Sequence, residues 1–469
     1  MAFQQPWELR AAFARRLSGL YGTEVPAYTT LVDVASEVNA DVVSSLGAAA
    51  ERLGSIGRVT AERHGAIRVG TPSELGQVAR IFGAMGMHPV GYYDLRDAAA
   101  PVPVVSTAFR PIAAEELARN PFRVFTSVLA TSDRRFFNAD LQQRLEAFLA
   151  RRELFPAELL QLADRGEAQL GLDEADAERF LELGVAAFAL SSEPVDRAWY
   201  RELEEISSVA SDIGGVTSTH INHLTPRVLD IDELYARMSD RGITMIDAIQ
   251  GPPRWDGPEV LLRQTSFRAL AEPRRFREAD GSISTSSLRV RFGEVEARGI
   301  ALTERGRSIY DSLMAAVDTA TGHLPREDAE PEAARVWATG FPATETGMAT
   351  TDIGYFTFTV ADKRPAGPPP SGLGELIRGG WVVAEPIVYE DFLPRSAAGI
   401  FQSNLSGEGT SDASQDGSLL DEAWLAAALG RPIHDPNRLY SAQREASLAD
   451  VRAALELDTI TIQTPGVAL

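Results

Sequence analysis

The stretch ERHGAIRVGT, residues 62–71, reads as a strand, and the order of elements after it decides the fold. From Ser73 to Met87 the apolar residues Leu75, Val78, Ile81 and Phe82 recur at helical spacing. Three extended runs come next: VGYYDL (90–95), PVVSTAFR (103–110) and FRVFTSVLA (122–130). The order is strand, helix, strand, strand, strand. A second segment has the same order. THINHLTPRV (219–228) reads as a strand, followed by a helix from Ile231 to Arg241 capped by the Asp-rich DID at 230–232. ITMIDAIQG (243–251), VLLRQTSFRAL (260–270) and SLRVRFGEVEA (287–297) are then extended. The repeat is one of pattern, with no residue-level repeat behind it.

Around these units the chain is mostly helical. Leu9, Phe13 and Leu17, then Leu31, Val34, Val38 and Val42, predict two helices before residue 55. Residues 131–215 are rich in Leu, Ala, Glu and Arg and read as a helical insertion, and 303–319 predict a further helix. The last third adds the extended runs IGYFTFTVA (353–361) and GGWVVAEPIVYEDFL (379–393) and a Pro-rich loop at 361–372. A Gly/Ser/Asp stretch at 405–418 reads as a mobile loop. The expected chain is α+β: N-terminal helices 1–55, a first βαβββ unit 56–130, the insertion 131–215, a second unit 216–302, and closing helices and strands 303–469.

With 469 residues, 44% of them hydrophobic and 24% charged, the chain has the composition of a soluble globular protein with a large core. The net charge of −21 opposes nucleic-acid binding, which needs cations to replace phosphate counterions, and disfavours an anionic membrane surface. An anionic substrate would therefore need a local cationic pocket. The absence of cysteine excludes disulfides, Cys-ligated zinc, Fe–S clusters and thiol nucleophiles. The longest apolar runs, such as GVAAFAL (184–190), fall far short of a membrane span, and MAFQQPWELRAAFARRL lacks a signal-peptide core. A cytoplasmic protein is expected. No GxGxxG, Walker loop, GxSxG elbow or HExxH is present.

Three side chains, His64, His223 and Glu294, are candidate metal ligands. Two neutral imidazoles and one carboxylate can occupy one face of an octahedral Fe(II), leaving the opposite positions for a substrate and O2. Leu288, Val290, Phe292 and Glu294 would share one strand face, and a carboxylate that continues an apolar face must be paired, protonated or metal-bound. The competing reading is a strand-end Glu reaching solvent, since Glu296 and Arg298 continue the same stripe. Periodicity does not choose between Glu294 and Glu296. In HINH, Pro226 and the β-branched neighbours favour a strand, so His220 and His223 would face opposite ways and only one would meet a metal. His64, Ala66 and Arg68 share a face, and Arg68 could fold back to grip the far carboxylate of a short dicarboxylic acid; the competing reading is a surface Arg paired with one of the many acids. His88, His323 and His434 read as structural, and Asp230 and Asp232 as a helix cap.

At these residues the chain resembles a known family. ERHGAIRVGT, MGMHPVGYYDL, STAFRP, PFRVFTS, HINHLTPRVLDID, LLRQTSF, RFGEVEARGIALT and VYEDFLP-Arg395-SAAGIFQSNL are similar to the 2-oxoadipate dioxygenase/decarboxylase family, which is related to the vicinal-oxygen-chelate fold. The likeness runs from the N-terminal helices to about Ser447, over several long motifs. It implies paired βαβββ units whose strands curl around a metal. It implies Fe(II) held by His64, by the second histidine of HINH (His223) and by the first glutamate of GEVE (Glu294), with Arg68, His64 and Arg395 at the substrate. The implied reaction joins 2-oxoadipate and O2 to give 2-hydroxyglutarate and CO2 in lysine catabolism. The 2-oxo acid would chelate the iron and supply its own electrons.

One position departs from the family, which carries a small valine where this chain has Arg395. Two cations at one ligand repel, so Arg395 is expected to turn outward rather than join Arg68. The competing functions are a vicinal-oxygen-chelate metalloenzyme acting on another 2-oxo acid, and a non-catalytic dicarboxylate-binding protein.

Overall fold

The computed structural model describes residues 3–98, 101–269, 272–288, 291–324, 326–393, 412, 414–415 and 417–462. Its architecture is α+β. Two helices open the chain, Pro6–Glu24 and Pro26–Leu46, each begun by a proline whose missing N–H would have no partner in a first turn anyway. Their predicted stripes are buried, Leu9, Phe13 and Leu17 on one and Leu31, Val34 and Val38 on the other, with Val42 half-buried at the end of the second. Strands are numbered in chain order. β1 (Phe3–Gln4) makes a short antiparallel ladder with β6 (Leu172–Asp173).

The main sheet holds β2 (Arg63–Val69), β3 (His88–Asp94), β4 (Val104–Arg110), β5 (Arg123–Leu129) and β8 (His223–Pro226) in the order β3-β4-β5-β2-β8. β2 leaves through the helix Pro72–Gly83 and the chain returns through β3 and β4, so that β5 lies parallel to β2. That helix starts where it does because Thr71 Oγ1 accepts from Glu74 N at 3.1 Å while Glu74 Oε2 accepts from Thr71 N at 3.1 Å, a reciprocal cap. β8 closes on the other edge of β2, antiparallel, with Ala66 opposite His223. The central position of β2 explains why its residues after Arg63 are buried on both faces.

The downstream segment differs from expectation in three places. The ladder of THINHLTPRV is confined to His223–Pro226, so His220 lies before the strand rather than on its opposite face. Residues 243–251 contribute single bridges, Met245 to Phe267 and Gln250 to Gln264, instead of a full strand. The run 287–297 is not one strand. β10 (Glu272–Arg277) and β11 (Ile283–Leu288) form a hairpin on β7 (Val195–Asp196), and β12 (Glu294–Arg298) is a separate strand paired with β9 (Leu262–Ser266). Leu288 and Glu294 therefore belong to different sheets, and the apolar stripe proposed to join them is not a strand face. The hairpin turns at Asp280-Gly281, where Gly281 has φ +82°, a signal strong enough to end a strand. β12 runs beside β8, with a parallel bridge from Arg227 to Glu296 and Val228 N donating to Glu296 O at 2.8 Å.

The region 131–215 supplies the helices Ala139–Leu149, Ala157–Gln169, Glu174–Ala187, Arg197–Glu204 and Ser208–Gly214. Beyond β12 come the helix Glu304–Thr321, the antiparallel pair β13 (Phe356–Val360) and β14 (Val382–Pro386), and the helix Pro436–Ala454. Arg395 and most of 405–418 lie outside the described residues. Among the described residues, no helix is long and apolar enough to cross a membrane.

At the end of the main sheet where β2 and β5 begin and β8 ends, buried acids and arginines interlock. Glu62 meets Arg123 at 2.7 Å and Arg227 at 3.0 Å, and Glu390 meets Arg58 and Arg123. Burial alone would raise the Glu62 carboxyl, but Arg123, Arg227 and Arg58 outweigh it and hold the group well below the usual carboxylate range. A depressed folded-state value means the stabilisation is complete above the unfolded value of 4.5 and is lost as pH falls from there toward the folded one. Melting temperature should thus stay flat from pH 7 to about 5 and fall steeply below about 4.5, as read by thermal melts across that range.

Candidate metal centre

Three adjacent strands carry the three candidate ligands. His64 sits near the start of β2, while His223 opens β8 and Glu294 opens β12. All three side chains are buried, and one possible ligand atom from each lies within 4.8 Å of the other two. His64 Nε2 stands 3.3 Å from Glu294 Oε2, and His223 Nδ1 stands 2.7 Å from Glu294 Oε1. Thr225 Oγ1 donates to Glu294 Oε2 at 3.4 Å. Two glycines make room for this convergence. A Cβ on Gly65 would come within 2.8 Å of Ile221 Cδ1, and one on Gly293 within 2.1 Å of Phe267 Cε1. A side chain at Gly65 would make the tip of Ile221 shift, and one at Gly293 would drive the Phe267 ring from its place beside β12.

The walls are aromatic. Phe392 packs edge-on against His64 with centroids 5.1 Å apart, and Phe292 against His223 at 5.5 Å. Tyr21, from the first helix, donates to Asn222 O at 3.0 Å and to Phe292 O at 2.8 Å. It thereby ties the segment before His223 to the segment before Glu294. Tyr21→Phe should cost about 1–2 kcal/mol of stability, because two buried carbonyls lose a donor; chemical denaturation would measure this.

Burial and mutual contact set the charges within the cluster. Burial would raise the Glu294 carboxyl, yet His223 and then His64 outweigh it and hold it at about 2. Burial keeps His223 below the ordinary imidazole range despite the pull of Glu294. Burial would also lower His64, but Glu296 and Glu294 prevail and its net direction is upward. Among the described residues neither ring nitrogen of His223 makes a hydrogen bond, since the 2.7 Å approach to Glu294 is not aligned as one. A buried polar atom left in that state is costly unless something else satisfies it. Two imidazoles and one carboxylate, oxygen and nitrogen donors only, fit a divalent cation such as Fe(II).

The other candidates fall around this cluster. His220 does not belong to it: its Nε2 lies 3.0 Å from Asn222 Nδ2 and 3.4 Å from Asp212 Oδ1, and burial lowers its pKa to about 4. Arg68, also buried, bonds Asp212 Oδ2 through Nη1 at 2.5 Å, and Asn222 Nδ2 donates to the same oxygen at 2.8 Å. Asp212 comes from the helix Ser208–Gly214, so the helical insertion reaches the site. Sequence reasoning missed Asp212, Asn222, Tyr21 and Phe392, whose positions carry no spacing signal. His88 and His434 pack against each other, with centroids 5.9 Å apart, and His323 is exposed.

Comparison with known proteins gives the family of the chain. The family model described as 2-oxoadipate dioxygenase/decarboxylase matches residues 13–404. A protein of that name from Mycobacterium tuberculosis is 58% identical over 438 residues, 93% of this chain and 97% of the relative. One from Pseudomonas putida is 41% identical over 469 residues, 98% of this chain and 99% of the relative. The crystal structure of the hydroxyglutarate synthase in complex with 2-oxoadipate from Pseudomonas putida superposes with a TM-score of 0.83 at 39% identity, covering 97% of this chain and 99% of that one. The span of the family model takes in His64, His223 and Glu294, and the relatives match almost end to end: this chain belongs to the 2-oxoadipate dioxygenase/decarboxylase family.

Proposed function

We propose that the chain is an Fe(II) enzyme of cytoplasmic lysine catabolism that converts 2-oxoadipate and O2 to 2-hydroxyglutarate and CO2. The observation that carries this is the buried convergence of His64, His223 and Glu294 in a chain 39% identical to a hydroxyglutarate synthase crystallised with 2-oxoadipate. We read residues 56–130 and 216–302 as paired βαβββ units. The Arg227–Glu296 bridge, the β12–β9 ladder and the bridges of Gln250 to β9 and of Met245 to Phe267 just after it support the second unit, because they repeat the order β2, β5, β4, β3.

When bound, Fe(II) supplies a Lewis-acidic, redox-active point for the 2-oxo acid and O2. His64 and His223 would hold it through ring nitrogens and Glu294 through its carboxylate, which is anionic at neutral pH. Arg68 receives the distal carboxylate through charge-assisted N–H contacts, with Asp212 orienting its guanidinium. Phe392 and Phe292 exclude water, and His64 borders both metal and substrate. The reaction balances without a further reductant, since one carbon leaves as CO2 and both oxygen atoms are absorbed by the two products.

Oxygen-electrode assays of anaerobically Fe(II)-loaded protein against a panel of 2-oxo acids test this reading. Uptake is expected with 2-oxoadipate, with 2-hydroxyglutarate formed. Metal binding without uptake would favour other chelate chemistry, and neither would favour a dicarboxylate-binding protein. Arg395→Val should change 2-oxoadipate kinetics by less than about tenfold, or ~1.4 kcal/mol, in steady-state assays. A switch of preferred 2-oxo acid in that variant would put Arg395 at the substrate.

A further inference from the structure

We propose that Glu296 is the positioning residue of the metal centre, fixing the His64 ring so that its proton sits on Nδ1 and Nε2 is presented to the metal. This rests on the metal-centre reading above. Glu294 and Glu296 lie two apart on β12 and share a face. The His64 ring stands against both of them. Its Nε2 is 3.3 Å from Glu294 Oε2, and its Nδ1 is 2.8 Å from Glu296 Oε2. One nitrogen meets the candidate ligand carboxylate, and the other meets a carboxylate outside the ligand cluster. The Nδ1 contact is not aligned as a hydrogen bond, but at 2.8 Å in a buried site its attraction for a proton is strong. A carboxylate on that side favours the proton on Nδ1 and leaves the lone pair on Nε2.

Glu296 is itself locked in place. Arg298 grips it with both arms, Nε to Oε1 at 2.7 Å and Nη2 to Oε2 at 3.0 Å. Arg123 Nη1 approaches Oε1 at 3.5 Å. Arg298 is anchored in turn by donating to the backbone oxygens of Tyr389 at 2.9 Å and Asp391 at 3.0 Å. The carboxylate therefore cannot swing toward the ligand cluster without breaking a buried fork. Both glutamates of GEVE then have work at one imidazole, the first at the metal and the second behind the ring.

Two measurements test the inference. The first is Fe(II) affinity by anaerobic chelator competition for the unaltered chain and for Glu296→Gln, which keeps the shape and removes the charge. Affinity should fall by about 10- to 100-fold, while each of the metal ligands' other partners is retained. The second needs no variant. The chain has six histidines, so 15N-histidine spectra of the Zn(II)-loaded protein can resolve each ring. His64 should carry its proton on Nδ1 and bind zinc through Nε2. A proton on Nε2, or a Glu296→Gln chain that binds Fe(II) within about threefold of the unaltered one, overturns the positioning role and leaves the metal centre standing. An unaltered chain that binds neither metal overturns both. Should Glu296→Gln fail to fold, the zinc spectrum decides alone.

Discussion

Glu294→Ala should yield a folded chain that no longer holds iron. Glu294 is the one anion of the ligand cluster, and its two oxygens face both imidazoles. Removing it leaves a divalent cation with two neutral donors in a buried site, where charge without a counter-charge is expensive. Changing a residue behind a ligand commonly costs 10- to 100-fold in metal affinity, so loss of a ligand itself should exceed roughly a hundredfold. His64→Ala and His223→Ala should behave alike. His220→Ala should keep its iron, because His220 is engaged with Asn222 and Asp212 instead. Iron content after gel filtration reads all four. Retention by His223→Ala with loss by His220→Ala would assign the wrong histidine to the metal.

Arg68→Ala should spare iron and cripple turnover. In a closed site the distal carboxylate of 2-oxoadipate would lose a charge-assisted partner, a cost of about 2–5 kcal/mol. That corresponds to roughly 30- to 5,000-fold in kcat/KM. The variant also leaves Asp212 without its arginine, so a thermal melt must accompany the kinetics. Full activity toward 2-oxoadipate in an iron-loaded Arg68→Ala chain would remove Arg68 from substrate recognition.

How far the sequence could be read depended on the kind of signal. The first strand, helix and three strands of 63–129 were legible because each extended run is rich in strand-forming residues, although the short helix Ala114–Arg119 between β4 and β5 was not foreseen. The strand expected at 287–297 was not, because the alternation of Leu288, Val290 and Phe292 runs on between two strands of different sheets. Asp280-Gly281, in the middle of a polar alternating stretch, was the available clue to the hairpin. Period-two reasoning could not separate Glu294 from Glu296 for a physical reason. Every residue of β12 is buried, and both carboxylates turn to the same ring. For HINH the strand argument separated the histidines, but His220 lies off the strand and is turned away by its bond to Asn222. Asp212, 144 residues from Arg68 in sequence, had no local signature at all, because only the tertiary fold pairs them.

The most direct test of the account is an iron-edge anomalous difference map from crystals loaded anaerobically with Fe(II) and 2-oxoadipate. A single strong peak within coordination distance of His64, His223 and Glu294, with the distal carboxylate of the acid at Arg68, is the predicted result. A peak on His220 or Glu296, or none among these residues, would contradict it.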